Sequence, residues 1–353
     1  MTRLLYCMLL MLLLGAGCKS PTPPMPMDAV FYPPAPETAR LQYLTSFDKP
    51  EAFEPPASSF LTYVAGSLPP KQGLVKPYGL CLKNNQLLVC DTVAGMIHEL
   101  DLAARQWSYF RPDGPGAMRK VINVDVDEAG NRYVADPLRG QILVYDAQSE
   151  FVAAIGREFE LKPTAVRVKR GRIYVTDLKL RQIHVYDAAS RNRILSIPAA
   201  DAPEEAQLFG PTNLDVDADG RIYVSDSNAF RVQIYDAKGA LLQSIGRQGD
   251  TPGSFARNKG VAVDPEGRIY VVDAAFQNAQ IFDAEGKLLL HFGDFSKAGQ
   301  GAMVLPAGIL INDQHNALFQ SYVAPGYDLQ YIVLVANQYG PHKINVYGFV
   351  QKQ

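Results

Sequence analysis

The sequence predicts an all-β protein built as a closed ring of six small sheets. One observation carries the fold class. A single phrase recurs six times: LLVCD ending at Asp91, RYVAD at Asp136, RIYVTD at Asp177, RIYVSD at Asp226, RIYVVD at Asp273 and IVLVAN at Asn337. Shortly after each comes a second apolar run: IHELD, QILVYD, QIHVYD, VQIYD, AQIFD or INVYGF. A repeat of about 40–50 residues made only of short β-patterned runs means a radial array of sheets. A second observation argues for closure. Only five units have an outer strand after their second apolar run, and the sixth stops at Gly348-Phe349-Val350. The run Leu41 to Phe47 (LQYLTSF) resembles the missing strand, so the start of the chain is expected to pair with the last unit. Closure removes the open edges that a string of sheets would expose.

Each unit reads as four strands, lettered a to d. Strand a is the GLCL, NVDV, AVRV, NLDV, GVAVD or GILI run, and a polar turn such as Asp219-Gly220 or Glu266-Gly267 follows. Strands b and c are the two phrases above. Strand d is WSYF, FVAAIG, RILSIP, LLQSIG or LLLHFG. Alternating and β-branched residues bounded by Gly, Asn, Asp and Pro favour strands over helices. The order a, b, c, d places the b–c and d–a connections on one face of the ring, here called upper. The a–b and c–d turns fall on the lower face.

The phrases resemble NHL repeats, in the pattern P-x-G-hydrophobic-x-hydrophobic-D, G-x-I-Y-V-x-D, then N-x-x-R-I-x-V-Y-D. Asn228 to Asp236 (NAFRVQIYD) matches the last part best. The resemblance covers nearly all of the chain beyond Ala39 and implies a six-bladed β-propeller. The ending NQYGPHKINVYGF, from Asn337 to Phe349, is similar to that of a bacterial subgroup of exported six-bladed propeller lipoproteins. Some relatives in that subgroup stand alongside multihaem cytochromes, which implies such a cytochrome as one candidate partner.

The first residues read as a targeting signal. Arg3 precedes an apolar core from Leu4 to Leu14, then small residues lead to Cys18. Leu14-Gly-Ala-Gly-Cys18 resembles a bacterial lipobox, which implies that Cys18 is lipidated and becomes the N-terminus. Lys19, not Asp, follows Cys18, and this implies the outer membrane, with its face left open. The expected division is a signal peptide over 1–17, a lipidated Cys and Pro-rich tether over 18–38, and the propeller over 39–353. Seven prolines between Pro21 and Pro36 favour an extended tether of about 3 Å per residue.

A net charge of −2 removes the electrostatic footprint of a nucleic-acid binder. Of four cysteines, Cys81 and Cys90 remain within the repeats. They lie diagonally on consecutive strands, so a disulfide between them is left open.

Several residues could carry function, each with a structural alternative. The six strand-b ends could form a ring of carboxylates, but Asp and Asn at a strand end commonly accept backbone N–H bonds from the next turn. Arg139, Lys179, Arg181, Arg231, His342 and Lys343 follow strand b, while Lys76, Lys120, Lys162 and Lys259 sit around the start of strand a. Together they could line the upper face with positive charge and attract carboxylate, phosphate or an acidic partner. The alternative is that each Arg pairs with a strand-b Asp. The starts of the inner strands, with Tyr78, Asn123, Thr164, Asn213 and Lys259, define the channel mouth; they contain neither Glu nor His. No metal or cofactor is therefore expected, and no catalytic residue is assigned. Asp215 to Asp226 mimics an EF-hand loop but spans a hairpin, the wrong context for calcium. The sixth unit carries an insertion from Asp313 to Gln330 with Phe319, Tyr322 and Tyr327, expected either to dock a partner or to pack beneath the ring. The functional expectation is a lipid-anchored, exported binding scaffold for another cell-envelope protein. A metal-dependent hydrolase or lyase and an accessory to a cytochrome complex are the alternatives.

Overall fold

A computed structural model of the protein describes residues 29–55, 71–156, 160–293 and 299–353. Cys18, the signal segment and the first part of the tether lie outside the described residues. The chain forms six antiparallel sheets around an axis, five of four strands and one of five. Blade 1 runs from Pro77 to Phe110, blade 2 from Asn123 to Ile155 and blade 3 from Pro163 to Ile197. Blade 4 runs from Pro211 to Ile245 and blade 5 from Asn258 to Phe292. Blade 6 takes strands a to c from Pro306–Asn312, Tyr327–Asn337 and Ile344–Lys352.

The ring closes as expected. The strand Leu41–Phe47 pairs antiparallel with strand c of blade 6, with Tyr43 opposite Tyr347 and Phe47 opposite Ile344. A further two-residue strand, Phe31–Tyr32, pairs outside it, with Phe31 opposite Gln42. The end of the expected tether is therefore part of blade 6. Phe31 packs on Tyr327 and Tyr32 against Phe292 and Tyr347, because these aromatics bury apolar area that an extended linker would leave in water.

Period-two alternation sends side chains of each blade into the two gaps beside it. The apolar core accordingly divides into six clusters, one per gap. Near the axis the inner strands approach closely enough to need glycine. A Cβ on Gly308 would lie 2.1 Å from the carbonyl oxygen of Tyr78, and one on Gly79 would lie 2.6 Å from that of Ile122. Side chains also bridge inner strands. Asp125 accepts the N–H of Val168 at 2.6 Å, and Asp215 accepts that of Val263 at 3.0 Å.

The strand-b ends are structural caps. Asp273 accepts N–H bonds from Ala256, Arg257, Ala275 and Phe276, and Asp91 accepts those of Val75, Lys76, Val93 and Ala94. Each Asp so ties the turn after strand b to the connection entering strand a. A second device lies two to four residues into strand c, where sequence reading assigned nothing. Gln233, Gln280 and Asn345 are buried and donate to the carbonyls of Glu205, Ser254 and Ala302 in the d–a connections. Tyr145, Tyr235 and Tyr347 do the same to Gly116, Ala206 and Gly301. This is why the phrase reads Q-I-x-V-Y-D: the core alternates with pins for the neighbouring connection.

Cys81 and Cys90 are free, so the bridge left open by the sequence is absent from this structure. Cys81 stands opposite Leu88, not Cys90, and its thiol donates to Asp125 at 3.3 Å. Burial pushes both thiols up.

The insertion packs inward. It is shorter than expected, because strand b of blade 6 already begins at Tyr327. Phe319 is 2% exposed and faces Phe47 and Tyr322 in the gap between blades 6 and 1. Gln42 donates to the Tyr322 carbonyl and accepts the N–H of Ala324, while His315 Nε2 accepts the N–H of Asn85 in blade 1. The aromatics therefore serve as a lower-side seal between first and last blades.

Candidate functional site

The upper channel mouth is stoppered. Tyr78 starts strand a of blade 1, and Asn213 starts that of blade 4, on the opposite side of a six-membered ring. Asn213 Nδ2 donates to the Tyr78 hydroxyl at 3.2 Å, so this pair spans the axis. Both are buried. The ammonium of Lys259, from blade 5, lies 5.4 Å above the Tyr78 ring. That contact stabilises a cation, but weakly against the loss of water around it. Burial brings the Lys259 pKa down to about 8, and the charges of Arg257 and Lys76 add to the effect.

The other expected mouth residues serve the frame. Asn123 accepts the N–H of Val166, and Thr164 bonds Thr176 and the carbonyl of Pro211. The expected cationic surface splits into two groups. Arg139 donates to the carbonyls of Pro115 and Ala117, and Lys343 to that of Val75. Lys179 pairs with Glu160 at 2.6 Å. Only Arg231 pairs with its strand-b Asp, at 3.3 Å from Asp226, and it also donates to the Gln207 carbonyl. Arg181 is exposed at a left-handed turn position. These side chains are scattered round the rim, and most are held by loop carbonyls or acids.

Arg257 and Lys259 form the second group. Among the described residues, neither side chain makes an ion pair or a hydrogen bond. They edge a pocket of about 440 Å³ between blades 4 and 5, which also meets Thr212, Ser227, Asn228 and Phe230. Sequence reading named Lys259 but missed Arg257. Its signal was its place just before strand a of blade 5, where blades 1, 2 and 3 carry Lys76, Lys120 and Lys162.

One buried group elsewhere resembles a hydrolytic triad. His184 Nδ1 lies 2.9 Å from Ser196 Oγ, and its Nε2 lies 3.4 Å from Asp177. His184 and Asp177 are fully buried. Burial works to raise the Asp177 pKa, but the bonds from His184, Lys162, Lys179 and Leu180 outweigh it and hold the carboxyl below its ordinary value. Asp177 is thus a blade cap, as Asp91 is beside His98 in blade 1. The lower-face mimic of a calcium loop is also used internally. Asp217 accepts from the N–H groups of Asp219 and Arg221, from Arg221 Nε and from the Tyr223 hydroxyl. Among the described residues no group of three metal-ligating side chains converges.

Comparison with known proteins supports the architecture. A family model described as a 6-bladed beta-propeller matches residues 203–292, which span blades 4 and 5. No curated protein matches the chain. Among solved structures, a structural genomics protein of unknown function from Bacteroides thetaiotaomicron is similar at 15% identity and a TM-score of 0.59, covering 88% of this chain and 76% of that one. A gluconolactonase from Xanthomonas campestris gives 15% identity and 0.55 over 88% and 89%. A virginiamycin B lyase from Staphylococcus aureus gives 12% and 0.53 over 77% and 80%. At these identities the likeness is one of fold: the chain is a six-bladed β-propeller.

Proposed function

We propose that the protein is a lipid-anchored, exported propeller that works as a binding scaffold, with its upper face as the recognition surface. One observation carries this reading. The Tyr78–Asn213 pair spans the axis, Lys259 lies over the Tyr78 ring, and Lys259 and Arg257 edge the same upper-face pocket with no acid in its lining. A rigid floor under unpaired charge suits recognition of an acidic group on an envelope protein better than passage through the ring. Cys18 supplies the anchor, and the outer membrane is the expected site.

The test is affinity capture from membranes with the wild-type chain and with a Lys259→Glu/Arg257→Glu double variant. A specific partner retained by the first and lost by the second is the expected result. Identical captured sets would overturn the choice of face. Cys18→Ala should move the protein from the membrane to the soluble fraction, and retention in the membrane would refute the anchor.

A further inference from the structure

The pocket between blades 4 and 5 has an electrostatic imbalance that the frame does not explain. Lys259 is half-buried, lies on an aromatic floor and faces two further cations, Arg257 and Lys76. A desolvated ammonium without a counter-charge is costly, and folds ordinarily avoid one or pair it. The side chains lining the pocket include no carboxylate.

The strand-end acids of blades 4 and 5, Asp226 and Asp273, are already engaged. Asp226 accepts the N–H groups of Phe209 and Gly210 and pairs with Arg231. Both oxygens of Asp273 accept backbone N–H bonds. Neither carboxylate makes an ion pair with Lys259 or Arg257 among the described residues. The wall adds small polar groups, with the Thr212 and Ser227 hydroxyls 2.7 Å apart, and Phe230 supplies an aromatic side. The pocket is open to solvent, and its volume of about 440 Å³ falls within the range of ordinary small-ligand sites.

We propose that this pocket is an anion site that takes the phosphate or carboxylate group of a small molecule between Lys259 and Arg257, beside the Tyr78–Asn213 pair. The inference deepens the binding role proposed above and rests on it only for the choice of face. Arg257 supplies a planar fork suited to an oxyanion, Lys259 a point charge from beneath. Lys76, 5.2 Å over the Tyr339 ring, adds to the field from blade 1.

The test is isothermal titration of the purified full chain at pH 7 in low-salt buffer, with inorganic phosphate in one arm and acetate in the other. One saturable site per chain is expected for at least one of the anions, and the stronger arm identifies which. Lys259→Gln should weaken it at least tenfold and Arg257→Gln several-fold, whereas Lys238→Gln on the lower face should leave it unchanged. Arg257 is exposed, so its variant tests the site even if Lys259→Gln does not fold. Failure of both anions to saturate, or equal binding by wild type and the Arg257 variant, would overturn the proposal. Saturable anion binding without any captured partner would refute only the macromolecular role, and the reverse outcome would refute only the anion site.

Discussion

The two faces of the propeller use the same capping residue to opposite electrostatic ends. On the lower face Asp217 and Asp264 cap the a–b turns and also hold Arg221 and Arg268, at 2.7 and 2.6 Å. Lys169 and Arg170 there donate to the carbonyls of Val216 and Ala218. These lower cations are therefore held either by their own turn or by the turn of the next blade. On the upper face the strand-b Asp is buried deeper and its oxygens are filled by backbone N–H groups, as at Asp273. Near the axis this leaves Lys259 and Arg257 without acids. An acid that caps a turn can still hold an Arg when an oxygen is left open, as at Asp264 and Asp226, but not when four N–H groups fill both oxygens, as at Asp273. The lower a–b turns of blades 4 and 5 carry their own counter-charges, and the upper mouth leaves two cations without one among the described residues.

The largest effect should come from removing an upper cap. Asp273→Ala strands four N–H groups in a buried connection and is expected to cost about 3–5 kcal/mol in chemical denaturation. Asp283→Ala on the exposed lower c–d turn, which accepts the Lys287 N–H, should cost about 1 kcal/mol or less. Equal losses would erase the distinction between the two sets of caps.

Acid should strike the frame before it strikes the mouth. Burial holds His98 near pKa 4, opposed in part by Asp91. The unfolded state then binds the extra proton between pH 6.5 and 4, so stability is full above 6.5 and falls as pH drops towards 4. The loss should be on the order of 2–3 kcal/mol and should vanish in a His98→Gln variant compared with itself across the same range. A wild-type stability flat from pH 7 to 4 would show that His98 is charged or solvated in the fold.

Removal of single cations tests the comparison itself. Arg268 sits 4.4 Å over Phe349 and pairs with Asp264, so Arg268→Ala should cost about 2 kcal/mol. Arg257→Ala on the upper rim should stay within about 0.5 kcal/mol. A large cost at Arg257 would reveal a structural partner for it. The smallest effect concerns pH. Phosphate affinity should fall as pH rises past about 8, because Lys259 loses its proton there; a bound anion will push that loss to higher pH. An affinity constant from pH 7 to 9.5 would remove Lys259 from the site.

Much of the frame was legible in the sequence because it repeats. Six strand-b phrases gave six blades, the Asp at each end gave the caps, and LQYLTSF gave the closing strand. What repeats only in space was hidden. Tyr78 and Asn213 each stood at the mouth by sequence position, yet their bond across the axis depends on which blades face each other. Arg139, Arg231 and Lys343 looked like free surface charge, but their partners are loop carbonyls, which leave no mark on a sequence. Phe31 and Tyr32 read as tether because the prolines around them dominate the local pattern, while the aromatics that receive them come from blades 5 and 6.

The claim that the upper mouth holds an uncompensated cation is tested most directly by the melting temperature of Lys259→Met with and without inorganic phosphate. The account predicts that, without phosphate, the variant melts at or above wild type, since the buried charge is gone. Added phosphate should raise the wild type and leave the variant where it is. A variant that melts well below wild type without phosphate, and gains as much from it, would show that Lys259 belongs to the frame and takes no part in holding an anion.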